Sequence, residues 1–150
     1  MKEISDLDNQ VCFAMYSATN AMIRQYRPLL QEYDLTYPQF IVLLTLYEKD
    51  NVSLSEIGQK TFFDSGTLTP LIKKLEEKQF LKRVAVKEDE RMKKVILLKK
   101  ALVSKDKITQ IPFKLACTLG VDPNDLVAIH NLCHRFLKGV ENAKLGSLGE

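Results

Sequence analysis

The chain has 150 residues, 45% of them hydrophobic and 27% charged, with a net charge of +3, which fits one soluble domain large enough to bury a real core. No stretch approaches the ~18 apolar residues of a membrane span, and the start, Met1-Lys2-Glu3-Ile4-Ser5-Asp6, lacks the apolar core of a signal peptide. A cytoplasmic protein with no membrane partner is therefore expected.

The first helix is expected from about Asp8 to Leu30, where Val11, Met15, Ala18, Met22, Tyr26 and Leu29 recur at three- and four-residue spacing. A second opens at Thr36-Tyr37-Pro38-Gln39, a capping box with proline in the first turn, and runs to about Lys49. A third opens at Ser53 with Glu56 as its capping partner and ends near Thr61. A fourth starts at Asp64 or Ser65 and continues to about Lys78, although Pro70 removes one backbone bond from it. Leu81–Val86 and Lys94–Leu98 read as two short strands joined by a charged loop, Lys87 to Arg91. That hairpin is too small to stand alone. Helix resumes near Lys99 and is broken or kinked at Pro112. The last helix opens at Asp122-Pro123-Asn124-Asp125 and carries Leu126, Ile129, Leu132, Cys133, Phe136 and Leu137.

The fold expected is mainly α with a small β hairpin: one domain over 1–150, with a winged helix-turn-helix at about 34–98. Terminal helices at about 5–33 and 99–142 carry more apolar surface than one winged unit covers. They pack on their own core or on a second copy as a twofold dimer.

Helix, turn, helix and basic wing in that order is a way to read duplex DNA. Residues 73–107 hold 13 of the 22 Lys and Arg but 6 of the 19 Asp and Glu. Such a segment is a polyanion face or a solvated lysine-rich surface. At the start of the fourth helix, Ser65, Thr67 and Thr69 can reach base edges or phosphates. The same hydroxyls also suit capping and turn formation. Lys73 and Lys74 are placed for phosphates, and Arg91, braced by Asp89, for a minor groove; the plainer reading is a solubilised hairpin.

The three cysteines, Cys12, Cys117 and Cys133, have no metal-like spacing. Cys12, in the first turns of the first helix, is either inert apolar filler or a thiolate favoured by the helix dipole. Cys133 lies on the apolar stripe of the last helix and suits a core role. Tyr26 lies 14 residues past Cys12, about 21 Å along a continuous helix, so it can meet Cys12 only from another subunit. His130 and His134 stand four apart, but nothing nearby completes a metal site, and neither a metal nor a cofactor is expected.

These residues resemble the MarR family of winged-helix repressors, and within it the OhrR-type organic-hydroperoxide sensors. The resemblance lies in Val11-Cys12-Phe13-Ala14-Met15-Tyr16, Tyr26-Arg27-Pro28-Leu29-Leu30, Leu35-Thr36-Tyr37-Pro38-Gln39-Phe40, the Asp64-to-Leu71 run and Asp89-Glu90-Arg91. It covers about residues 7–140. It implies a homodimeric, non-enzymatic repressor on a pseudopalindromic operator, with Cys12 as the peroxide sensor. It further implies that Tyr26 and Tyr37 support the thiolate and that Cys117 of the partner subunit resolves the oxidised sulfur. Lys87 departs from relatives that often carry proline there. A repressor released by a non-oxidant, phenolic ligand is the alternative. A thiol peroxidase fits less well, having no use for a basic wing.

Overall fold

The structure, a computed structural model, describes residues 6–86 and 89–142; at 86, 89–92 and 141–142 the description is of backbone alone. It forms two compact units, Met1–Pro112 and Phe113–Glu150.

In the first unit, a 3-10 turn at Leu7–Asn9 precedes α1 (Val11–Gln31). The helix thus starts three residues later than Asp8, because Gln10 is extended and no side chain caps it. Pro28 is carried inside the helix, which ends in a turn where Asp34 takes φ +53°. Next comes α2 (Tyr37–Glu48), opened by the reciprocal Thr36/Gln39 box, with the Thr36 N–H donating to Gln39 Oε1 at 3.1 Å. A two-residue strand, β1 (Val52–Ser53), leads into α3 (Leu54–Thr61), then α4 (Ser65–Glu77), β2 (Leu81–Val86), β3 (Asp89–Leu97) and α5 (Lys99–Thr109). The fold is mainly helical with a small antiparallel sheet, as the sequence pattern implies.

Two sequence expectations are corrected. The hairpin is a three-stranded sheet in the order β1-β3-β2, with Val52 paired to Val95 and Ser53 to Lys94. Val52 and Ser53 are too few to register as an alternating pattern, and their backbone groups pair only because β3 passes beside them. The charged loop is also shorter than expected, since Asp89, Glu90 and Arg91 belong to β3 and Val86 pairs with Asp89 across a register shift. A bulge lets charged residues continue a ladder that their composition alone disfavours. Lys87 and Glu88 lie outside the described residues.

The core of this unit is formed by Leu30, Phe40, Leu43, Leu46, Ile57, Ile72, Leu75, Phe80, Leu81, Val95 and Ile108, each at most 1% exposed. Full burial of each such side chain is worth about 1.5–3 kcal/mol. Gly58 faces the Phe63 carbonyl so closely that a Cβ there would stand 3.1 Å from it, which lets α3 turn tightly towards α4. Ser53 caps α3, while Glu56 accepts from the Ser53 N–H at 2.8 Å and pairs with Lys49 at 2.9 Å. The Ser53 N–H and the Lys49 ammonium hold the Glu56 carboxyl down to about 2 from its ordinary 4.5. A lowered folded value means the contribution is complete above about pH 4.5 and is lost as pH falls towards 2. Glu56→Gln should therefore narrow the loss of thermal stability between pH 4.5 and pH 2; a melting curve with the wild-type acid slope would contradict this.

α6 (Ile111–Thr118) begins at the end of the first unit, with Pro112 at its second residue. The helix therefore breaks at Gln110, two residues before the proline, where a missing N–H is tolerated. In the second unit, α7 (Pro123–Asn142) starts as expected, with Asp122 Oδ1 accepting the Asn124 N–H at 2.7 Å and proline at its first position. Ile129, Leu132, Phe136 and Val140 on α7 are 45–54% exposed. Cys133 is half-buried rather than core.

Candidate nucleic-acid interface and thiol site

At 100° per residue, Leu68, Ile72 and Leu75 lie on one side of α4 and are buried. The opposite side presents Gly66, Thr67, Pro70, Lys73, Lys74 and Glu77, all exposed, with Thr69 exposed on its flank; Ser65, the first residue of the helix, falls near the angle of Ile72 but is exposed as well. Asp64 caps the helix, accepting the Thr67 N–H at 2.9 Å and the Thr67 hydroxyl proton at 2.7 Å. Thr67 thus spends its hydroxyl proton on capping, while no such bond occupies Ser65 or Thr69 among the described residues. Pro70, treated in the sequence as a backbone cost, stands in the middle of the exposed face. The signal for it was a proline in the second turn that the helix nonetheless carries through.

Sequence reasoning passed over three other residues. Phe62 ends α3 in the left-handed region at φ +60° and is 66% exposed. A bulky residue there is an outlier. It lines a groove of about 640 Å³ with Leu54, Gly58, Phe63, Leu68 and Thr69. The Phe-Phe pair just before the cap was its only trace in the sequence. Arg83 is the second. It donates from Nη2 and Nε to Glu76 Oε2 at 2.7 and 3.1 Å, and its backbone N–H donates to Glu76 Oε1 at 3.0 Å. β2 is thereby clamped to α4, and the Arg83 N–H and guanidinium hold the Glu76 carboxyl below the usual range. Both side chains are about 30% exposed, so the pair belongs with partly buried, charge-assisted bonds. Arg83→Ala should cost about 1–2 kcal/mol, read as a lower urea midpoint at unchanged slope. A midpoint equal to wild type would mean that the wing is held by its apolar contacts alone.

Lys78 is the third. It follows α4, its side chain is 25% exposed, and Nζ reaches Asp34 Oδ2 at 3.2 Å and Gln39 Oε1 at 3.3 Å, as well as the Asp34 carbonyl. The end of the exposed helix is thus tied to the turn that carries Tyr37.

The structure brings Tyr26 and Tyr37 together, with ring centroids 4.8 Å apart and Phe40 completing the cluster at 5.6 and 6.1 Å. Burial pushes both phenols up, and for Tyr26 the neighbouring Tyr37 adds to it. Both hydroxyls therefore remain protonated donors at neutral pH. Cys12 is the second residue of α1 and exposed. Because α1 is continuous from Val11 to Gln31, Cys12 and Tyr26 lie about 21 Å apart along it. Cys117, exposed, lies in α6 within the second unit. The side chains of Asp89 and Arg91 lie outside what is described. Among the described residues no helix is long and apolar enough to cross a membrane.

A family model described as transcriptional regulator SarA/Rot matches residues 24–111. The HTH-type transcriptional regulator TtmR of Methylorubrum extorquens is 44% identical over 77% of this chain, and the chain spans only 59% of that protein's length. The organic hydroperoxide resistance transcriptional regulator of Bacillus subtilis is 38% identical over 71% of this chain and 72% of its own length. Among solved structures, reduced AbfR bound to DNA superposes with a TM-score of 0.74 at 28% identity, over 89% of this chain and 93% of that one. AbfR, a protein of Staphylococcus epidermidis, has also been solved overoxidised on DNA and with its disulfide formed. The family match runs from within α1 through the helix-turn-helix and wing to the start of α6, and so the chain belongs to the SarA/Rot family of transcriptional regulators, winged-helix proteins of the MarR type.

Proposed function

We propose that this protein is a homodimeric, cytoplasmic repressor that leaves its operator when Cys12 is oxidised by an organic hydroperoxide. The observation that carries the DNA reading is the exposed face of α4, standing beside a wing clamped to that helix by Arg83 and Glu76. Ser65 and Thr69 contact bases, Thr67 holds the helix start and offers its methyl, and Lys73 and Lys74 meet phosphates. Asp89 and Arg91 serve the wing tip. Residues of about 34–98 form the reading head, and the helices of about 5–33 and 99–142 join two copies. The exposed apolar side chains of α7 give the second copy a surface to cover. Two reading heads about 34–36 Å apart match one turn of B-DNA and a pseudopalindrome.

The redox reading draws on the B. subtilis relative, named for organic hydroperoxide resistance, and on AbfR, solved in reduced, overoxidised and disulfide forms. In this reading the Cys12 thiolate attacks the distal peroxide oxygen. The O–O bond breaks, the alkoxide takes a proton and leaves as alcohol, and Cys12 becomes a sulfenic acid. Cys117 of the other copy, as thiolate, then displaces hydroxide, which leaves as water, and a disulfide forms. Because Tyr26 is out of reach of its own Cys12, the Tyr26–Tyr37 pair of one copy donates to the thiolate of the other. Lys78 links that pair's turn to α4, which gives the oxidised site a physical route to the reading head.

The test is a non-reducing gel of purified protein before and after one equivalent of organic hydroperoxide. A covalent dimer that vanishes with dithiothreitol supports the reading. A protein that stays monomeric, with all thiols still titrating, points instead to a repressor released by a non-oxidant ligand.

A further inference from the structure

We propose that His130 and His134 form a chelate on α7 for a divalent transition-metal ion of the imidazole-favouring class, Ni2+, Cu2+ or Zn2+. The proposal does not rest on the DNA or peroxide reading. The two residues are four apart on a continuous 20-residue helix, so their side chains rise from one face, one turn apart. Their rings already meet, with centroids 4.4 Å apart at 61°, and both residues are exposed. Among the described residues, the side-chain contact of a ring nitrogen is a marginal one, His130 Nδ1 to Asn131 Oδ1 at 3.5 Å, at the outer limit of a hydrogen bond. Rotating the rings to aim one nitrogen each at a common point therefore breaks little. The helix beneath them is fixed at its start by the Asp122 cap and Pro123, which leaves two side chains, rather than a backbone, to be ordered by the ion.

The surroundings set the strength. Among the described residues no group of three His, Cys, Asp or Glu stands together, so the protein supplies two nitrogens and solvent fills the remaining positions. Imidazole pairs suit Cu, Ni and Zn rather than Mg or Ca, with Cu2+ the tightest. Lys138, one turn beyond His134 on the same side and exposed, adds a positive charge that weakens cation binding. The ion would bridge one turn of α7 next to the apolar stripe formed by Ile129, Leu132 and Phe136.

The chain has only two histidines, which makes the test direct. NiCl2 is titrated into the intact protein while the histidine ring resonances are followed, and uptake is measured by calorimetry before and after alkylating the cysteines with iodoacetamide. Expected are joint paramagnetic broadening of both ring signals and one ion per chain. Affinity should be unchanged by alkylation, about 10-fold or more weaker in His130→Asn or His134→Asn, and tighter in Lys138→Gln. Cu2+ should bind more tightly than Ni2+. Ring signals that stay sharp through micromolar free metal would overturn the proposal. So would uptake that survives both histidine substitutions or vanishes on alkylation, since the thiols would then be the ligands.

Discussion

Replacing Cys12 by Ser should leave operator affinity within about 2-fold of wild type and abolish release by organic hydroperoxide. The first half follows from position. Cys12 is the second residue of α1, serine differs from it by one atom and still accepts a hydrogen bond from the tyrosine pair, and a change held to about 0.5 kcal/mol is roughly 2-fold in an equilibrium constant. The second half follows from chemistry, since a serine hydroxyl is not oxidised by peroxide. Release of 100-fold requires the oxidised arrangement to disfavour DNA by about 2.7 kcal/mol, and a disulfide constrains a chain by typically about 2–4 kcal/mol. Cys117→Ser should separate the two steps. It should still form the sulfenic acid at Cys12, trappable with dimedone, yet give no covalent dimer and release DNA only weakly or by another route. Fluorescence anisotropy of labelled duplex, with and without hydroperoxide, measures all of this. Full release of the Cys12→Ser variant would remove Cys12 from the sensor role.

The helices were legible because their signals are local. Thr36 with Gln39, Ser53 with Glu56, Asp64 and Asp122-Pro123 each mark a start through atoms within three residues, and the structure places helix starts at all four. The sheet was only half legible. Val52 and Ser53 become a strand through partners more than 40 positions away, and the bulge at Val86 depends on pairing with Asp89. In the candidate site, residue types and their order pointed to the exposed face of α4, but not to its division of labour. That Thr67 is engaged with Asp64, or that Arg83 is turned to Glu76 instead of solvent, depends on side-chain directions no spacing encodes. Lys78 was invisible for the same reason: its partners lie 39 and 44 positions back. The separation of Cys12 from Tyr26 was legible, because one uninterrupted helix fixes it by rise alone.

Removing the two lysines of α4 should weaken DNA binding on every sequence, whereas changing its first-turn hydroxyls should alter which sequence is preferred. Lys73 and Lys74 are exposed on the side of α4 opposite its buried face, between two and three turns after the cap, where a helix lying in the major groove meets the flanking backbone. Each phosphate neutralised releases condensed counterions and contributes about 0.9 to the slope of log K against log salt. The double variant Lys73→Ala, Lys74→Ala should therefore bind about 10-fold or more weakly near physiological salt, with a slope smaller by about 2. Its fold should persist, since neither side chain is buried and Lys74 adds only a few tenths of a kcal/mol as a cation in the last helical turn. Thr69→Val tests the contrasting case. It keeps shape and removes the hydroxyl, so the slope should stay constant while discrimination at one base pair changes by about 1–3 kcal/mol. Titrations at three salt concentrations, on a duplex selected from a random pool and on a scrambled control, separate the outcomes. An unchanged slope in the double variant would place both lysines off the phosphates. If Thr69→Val lost affinity equally on both duplexes, Thr69 would hold the helix on the backbone and the reading of bases would fall to Ser65 and the side chains around it.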